Sequence, residues 1–283
     1  MRRALKIEET IVKIFLWASV ILVFACLFAI LFDILKQGLP YVTWEFLTAY
    51  PEDMGREGGI FPAIVGTIYV VAVSIIVAAP IGILSATYLT EYSRDNAVVR
   101  AIRFATDTLA GVPSIIFGLF GLAFFVIFCG LGWSVLSGGL TLAIMVLPTI
   151  VRTTEEAIKS VPRAYREGSM ALGATKWQTV YKVVLPSAMP GIVTGIVLSI
   201  GRSVGETAAV LFTVGGSLFI PHSIFEPANM LSLHLYKLVS EGISFEMGYA
   251  TASVLIIMIL IINITANYLM RRLTAKRLGS GNA

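Results

Sequence analysis

Glu167-Gly168-Ser169-Met170-Ala171-Leu172-Gly173-Ala174-Thr175-Lys176-Trp177-Gln178-Thr179-Val180-Tyr181-Lys182-Val183-Val184-Leu185-Pro186 is a polar interruption between two long apolar stretches. Pro162 stands in a first helical turn, and Gly173 ends the short run as a helix stop. A second helix starts at once. Thr175 with Gln178 three residues on forms a capping box, and Trp177, Val180, Tyr181 and Val184 share one face at helical spacing. Two short helices at a bend make a knob, residues 160–186, too polar for lipid and too apolar on one side for water. Such a knob fits a groove on another protein.

The knob's surroundings are membrane. The 283 residues are 57% hydrophobic and 13% charged, against about 25% charged in soluble domains, and mean hydropathy is +0.86. The whole chain reads as one polytopic, all-α domain in a lipid bilayer, with no nucleic-acid partner. Cys26 and Cys129 lie in apolar runs, which supports neither a disulfide framework nor a cysteine metal site. His222 and His234, twelve residues apart in a polar loop, read as ordinary surface histidines, so no metal is expected. No Gly-x-x-x-x-Gly-Lys-Ser/Thr phosphate loop occurs. If ATP drives this protein, the nucleotide and its Mg belong on another chain, and no cofactor is expected on this one.

Six apolar spans meet the roughly 20 residues that a bilayer requires, near 14–35, 62–89, 104–130, 134–157, 187–214 and 248–270. The first is too long for a signal peptide and lacks a small-x-small cleavage site. With both termini inside, seventeen of the twenty-one basic residues are cytoplasmic: Arg2, Arg3, Lys6, Lys13, Arg94, Arg100, Arg103, Arg152, Lys159, Arg163, Arg166, Lys176, Lys182, Arg271, Arg272, Lys276 and Arg277. Lys36, Arg56 and Lys237 fall outside. That asymmetry puts the knob in the cytoplasm.

Four residues inside the spans stand out. Arg202 and Glu206 fall near the middle of the fifth span, where a charge costs several kcal/mol, and their spacing stacks them on one face with Gly195, Ser199, Ala209 and Thr213. They read either as a self-neutralising pair that fixes packing or as an anion path in which the guanidinium fork grips an oxyanion. Arg152 lies toward the inner edge of the fourth span, as a snorkelling cation or part of that path. Ser114 follows Pro113 in the third span; a broken turn there either lines a cavity or shapes packing. Gly191, Gly195, Gly201 and Gly205 give small-xxx-small spacings suited to a partner membrane subunit. In the last outer loop, Leu231, Leu235 and Leu238 share one side of a short helix over the mouth, which gates, meets another protein or covers the bundle.

These motifs carry a resemblance. Glu167, Gly173, Val183, Leu185 and Pro186 match the EAA loop of ABC importer permeases, with Gly168-Ser169 in place of Ala-Ala and Val183 in place of Ile. Gly58-Gly59-Ile60-Phe61-Pro62-Ala63-Ile64, Val151-Arg152-Thr153-Thr154-Glu155-Glu156-Ala157, Ala171-Leu172-Gly173-Ala174-Thr175-Lys176-Trp177, Pro190-Gly191-Ile192-Val193-Thr194-Gly195 and Gly201-Arg202-Ser203-Val204-Gly205-Glu206-Thr207-Ala208 resemble PstA-type phosphate permeases from about residue 58 onward. The resemblance implies a type I ABC importer permease fold in the cell inner membrane. It also implies inorganic phosphate as substrate, a homologous PstC-like permease, two copies of a PstB-like ATPase and an extracytoplasmic PstS-like phosphate-binding protein. Glu167, Ala171, Gly173, Ala174, Thr175 and Trp177 would couple to the ATPase, and Arg152 and Arg202 would serve translocation. A sulfate or molybdate permease would share the EAA loop but lack the run from Gly201 to Ala208. An ion-coupled carrier would be expected to show inverted repeats, and no convincing repeat is found. An enzyme acting on phosphate esters would need a nucleophile with its base, or a metal cluster, and neither is evident.

Overall fold

The computed structural model describes residues 2–94 and 96–279, with side chains over 9–94 and 96–268. The side chains of Arg2, Arg3, Lys6, Arg271, Arg272, Lys276 and Arg277, counted above, lie outside the described residues. Long apolar helices dominate: α1 (Arg2–Gly38), α2 (Phe61–Thr87, extended by a π-helical tail Tyr88–Tyr92), α5 (Val135–Lys159), α7 (Lys176–Val204) and α9 (Phe245–Gly279). Between α2 and α5 stand α3 (Ala97–Ala110) and α4 (Ser114–Gly121, continued as π-helix to Phe128), bent 102° from one another. The knob helix is α6 (Arg163–Ala171), and α8 (Leu231–Ser240) caps the opposite end.

Close contacts at small residues fix the helix directions. Gly139 packs on Val73 and Gly82 on Ile150, so α2 and α5 run parallel. Chain that joins two parallel helices must return between them, which makes the bent α3–α4 pair one broken span. Gly191 packs on Ala157 and Gly195 on Thr153, so α7 runs antiparallel to α5. Gly38, at the end of α1, packs against Tyr249 near the start of α9, and Ser253 donates to the Ile34 carbonyl at 3.3 Å. The core sits between α2, α5 and the chain after α7: Val70, Leu142, Val146, Ala209, Val214 and Met230 are buried together.

Several expectations need correction. The third span is not one helix over 104–130, because Gly111-Val112-Pro113 breaks it and Pro113 adopts φ −57, ψ 138 as the residue before α4. The knob's second helix is not short: Lys176–Thr179 runs through a π-helical turn, Val180–Val184, straight into the fifth span. That span ends at Val204, not 214, so Glu206 lies beyond the helix and shares no helical face with Arg202. The glycine series divides as well, with Gly191 and Gly195 spent on the chain's own α5.

At the capped end, a two-strand hairpin pairs Pro51–Glu52 with Glu57–Gly58, and its turn places Gly55 at φ +96. His234 of α8 lies against that glycine and is 3% exposed, which corrects the surface reading of this histidine. Leu231 N–H donates to Thr67 Oγ1 at 2.9 Å, tying α8 to α2 as a cover. Burial chiefly, and then Lys237, pull His234 down to about 4. In the unfolded chain the ring titrates near 6.5. The cap therefore holds its full stability above pH 6.5 and loses it progressively as pH falls toward 4. Protection of the residue 231–240 amides, corrected for intrinsic exchange, is expected to drop roughly twentyfold between pH 7 and pH 5. His234→Gln should flatten the profile; an equally steep profile in that variant would place the titrating group elsewhere.

Candidate functional site

α7 stops half-way through the bundle. Its register on α5 advances four residues as α5 retreats four, and carried on from the Gly195–Thr153 contact it brings Arg202 level with Val146, near the middle of α5. Gly205 closes the helix, and residues 205–214 climb as irregular chain until Ser134 N–H, at the start of α5, meets the Thr213 carbonyl at 3.1 Å. Irregular backbone at membrane depth is tolerated where protein covers it or a cavity adjoins it. Here both flanks are visible: Ala209 and Val210 are buried, whereas Gly205 is exposed.

Arg202 belongs to the exposed flank, in line with Leu198 and Gly205, and has no hydrogen-bond or ion-pair partner among the described residues. Ser199 and Ser203, stacked on the neighbouring face of α7, are fully buried. Glu206 is occupied locally: its side chain accepts the Ala209 N–H at 3.2 Å, and its carbonyl takes the Ser232 hydroxyl at 2.6 Å. The self-neutralising Arg202–Glu206 pair, one of the two readings above, is not formed among the described residues. An apolar groove of about 360 Å³ between α2, α7 and α9 is lined by Ile200 and Val204 on the far side of α7 from Arg202. It holds no polar group suited to an anion.

Ser114 starts at the same depth. Gly118, one turn later, packs on the Ala208 and Ala209 backbone, and Gly121 packs on Thr141 and Thr213. Seven residues before Gly121, Ser114 opens α4 about 10 Å deeper than Thr141. The N-terminus of one half-helix and the C-terminus of another thus lie in a common layer.

Arg152 sits six residues along α5 from that layer, about 9 Å nearer the knob. It does not snorkel alone. Its Nε and one terminal nitrogen both meet Asp107 Oδ1 on α3, clasping the knob-side half of the broken span to α5. Glu155, only 1% exposed, lies 3.4 Å from Arg103, 3.7 Å from Lys159 and 3.9 Å from Arg152. A buried carboxylate needs such company, since removing its partners would leave an uncompensated charge. Asp107, Arg103 and Glu155 carried no assigned role in the sequence. The Arg152, Glu155 and Lys159 spacing on one helix face was the only local sign of this cluster.

The knob keeps its predicted local chemistry. Gly173 takes φ +84, and Thr175 and Gln178 form both bonds of the capping box. The single face expected of Trp177, Val180, Tyr181 and Val184 divides at the π-helical turn: Val180 and Val184 turn into the bundle while Trp177 and Tyr181 stack at 6.0 Å on the outside. With Tyr165, Met170 and Leu172 (91% exposed), they give the tip an apolar surface. Glu167, Ala171 and Gly173 are exposed beside them.

Residues 78–278 match the family of binding-protein-dependent transport system inner membrane components. This chain belongs to that family. The permease is 34% identical over 261 residues to the phosphate transport system permease protein PstA of Pasteurella multocida, covering 90% of this chain and 92% of that one. It is 34% identical over 265 residues to the probable phosphate transport system permease protein PstA of Methanocaldococcus jannaschii, covering 92% and 93%. Among solved structures, a chain of a bacterial alginate ABC transporter in complex with its pentasaccharide-bound periplasmic protein superposes with TM-score 0.67 at 19% identity, over 94% of this permease and 97% of that chain. At that identity the likeness shows the fold. The permease is thus a multi-pass membrane subunit of an ABC importer.

Proposed function

We propose that this permease passes inorganic phosphate across the cell membrane in an ATP-driven importer, with the path running beside Arg202. The observation that carries the reading is the layer where α7 ends, α4 begins and the Arg202 guanidinium stands without a partner among the described residues. Discontinuous helices at mid-membrane are how transporters present charged ends to an ionic substrate. A free Arg fork adds bidentate donation to an oxyanion. The PstA relatives support phosphate as the anion.

On this reading a homologous permease covers the exposed flank of α7, an extracytoplasmic phosphate-binding protein delivers to the capped end, and two copies of an ATPase take the knobs. ATP with Mg resides on those ATPases, and this chain binds no cofactor. A cytoplasmic knob with both termini on the same side is supported by the seventeen basic residues and by α1 ending where α9 begins. Closure of the ATPase dimer moves the knob through Glu167, Ala171, Gly173, Ala174, Thr175 and Trp177, and the helices rock to alternate access. Phosphate passes the layer of Arg202, Ser114 and Glu206, then Arg152, whose clasp with Asp107 must exchange a carboxylate for the substrate.

The test is uptake into vesicles holding the complete complex, supplied with ATP inside and with phosphate, sulfate or molybdate outside together with the binding protein. ATP-dependent accumulation of phosphate in preference to the other two is expected. Preference for sulfate or molybdate would reassign the substrate, and uptake driven by a proton or sodium gradient without ATP would overturn the reading.

A further inference from the structure

The knob and the tail of the second span are fastened together at one guanidinium that the docking role leaves unexplained. Arg166 of α6 is mostly buried, and four bonds hold it. Its Nε and one terminal nitrogen reach Glu91 Oε1 at 3.0 and 2.6 Å, and its terminal nitrogens donate to the Val161 and Ile158 carbonyls at 2.8 and 2.9 Å. Glu91 lies in the π-helical tail of α2, itself nine-tenths buried. Ile158 lies in the last turn of α5, its carbonyl also taking the Val161 N–H at 3.2 Å, and Val161 lies just beyond the helix. One side chain therefore ties the knob to two spans at once.

The second half of the knob reaches the same tail. Lys176 Nζ stands 5.1 Å from the centre of the Tyr92 ring, and the Ser169 and Thr179 hydroxyls meet at 3.0 Å to join the two halves. α7 continues from the knob as unbroken helix and takes any push directly. α2 has no direct chain connection to the knob and α5 joins it only through the bend at residues 160–162, so the share of α2 must cross non-covalent contacts and that of α5 is stiffened by them. Among these contacts, the Arg166 fork makes four charge-assisted bonds in a shielded place. From there the motion has a short course, because α2 and α5 pack on each other at Gly82 and Ile150 and α5 carries Arg152.

We propose that Arg166 and Glu91 form the joint through which displacement of the knob moves α2 and α5 as a pair, so that they set how much transport each ATP turnover yields. They are positioning residues, touching neither substrate nor nucleotide. The inference rests on the reading above that an ATPase drives the knob.

The experiment has two arms, both on the assembled complex. In vesicles, Arg166→Gln, Glu91→Gln and the double variant are compared for inorganic phosphate uptake and ATP hydrolysis, with co-purification of the ATPase checked for each. Hydrolysis is expected to persist while phosphate moved per ATP falls roughly tenfold, with the double variant no worse than either single, as for residues acting through one contact. A parallel fall in uptake and hydrolysis, or singles whose effects multiply, would overturn the joint. The second arm needs no substrate: spin labels at cysteines replacing Tyr165 and Arg94, in a chain freed of Cys26 and Cys129, report the distance from knob to α2 tail. One narrow distance should persist with and without ATP and broaden in Glu91→Gln; a distance that changes with nucleotide in the unmutated joint would show that the parts move separately. If the vesicles import another anion or none, the substrate assignment fails while this arm still decides the joint.

Discussion

Arg202→Gln is expected to lower ATP-driven phosphate uptake roughly a hundredfold, because losing one partner of a desolvated charge pair costs 2–5 kcal/mol and each 1.4 kcal/mol is tenfold. Assembly with the ATPase should be unaffected. Arg202 makes no hydrogen bond or ion pair among the described residues and stands exposed at the end of α7, so its removal breaks no internal contact of that kind. Arg202→Lys keeps the charge but not the fork and should fall between the two. The comparison is made on vesicles with equal complex content. Normal uptake in Arg202→Gln would demote it to a packing residue and move the search to Arg152 and the partner chain.

Gly195→Val should have the opposite character, with loss of the folded chain before any question of transport. A Cβ at Gly195 would overlap the Thr153 side chain, and at Gly191, one turn away, another would come within 2.6 Å of Ala157 Cβ. α5 and α7 approach most closely along this seam, which small residues make possible in a membrane. Forcing a branched side chain into it should cost about 3 kcal/mol or more, at the upper end for overpacking. Gly168→Ala on the exposed face of α6 meets nothing within 4 Å, and should stabilise by about 0.5–1 kcal/mol through helix propensity. Thermal unfolding in detergent separates the two. A Gly195→Val chain that unfolds at the wild-type temperature would mean that the seam opens at no cost.

Much of the layout was legible in the chain. The helical spans follow from apolar runs whose length alone satisfies the bilayer, and the capping box and Gly173 stop follow from bonds between near neighbours. Arg202 was singled out because a charge within an apolar run is conspicuous whatever surrounds it. Its supposed partner Glu206 was misplaced for a physical reason: helical phase was carried through Gly205, and nothing local says that Ser232, twenty-six residues later, holds the Glu206 carbonyl beyond the helix end. His234 was taken for a surface residue because the hairpin that buries it is formed nearly 180 residues earlier.

The sequence by itself therefore determined the membrane class, the approximate spans and the chemistry of the knob's turn, all matters of composition and short-range bonding. Only the tertiary structure decided that α7 ends at mid-depth, that α3 and α4 make one broken span between two parallel helices, and that Asp107 holds Arg152 while Glu91 holds Arg166. Those pairings join residues 45 and 75 positions apart. Which distant charges meet depends on how whole helices pack, and no local periodicity carries that information.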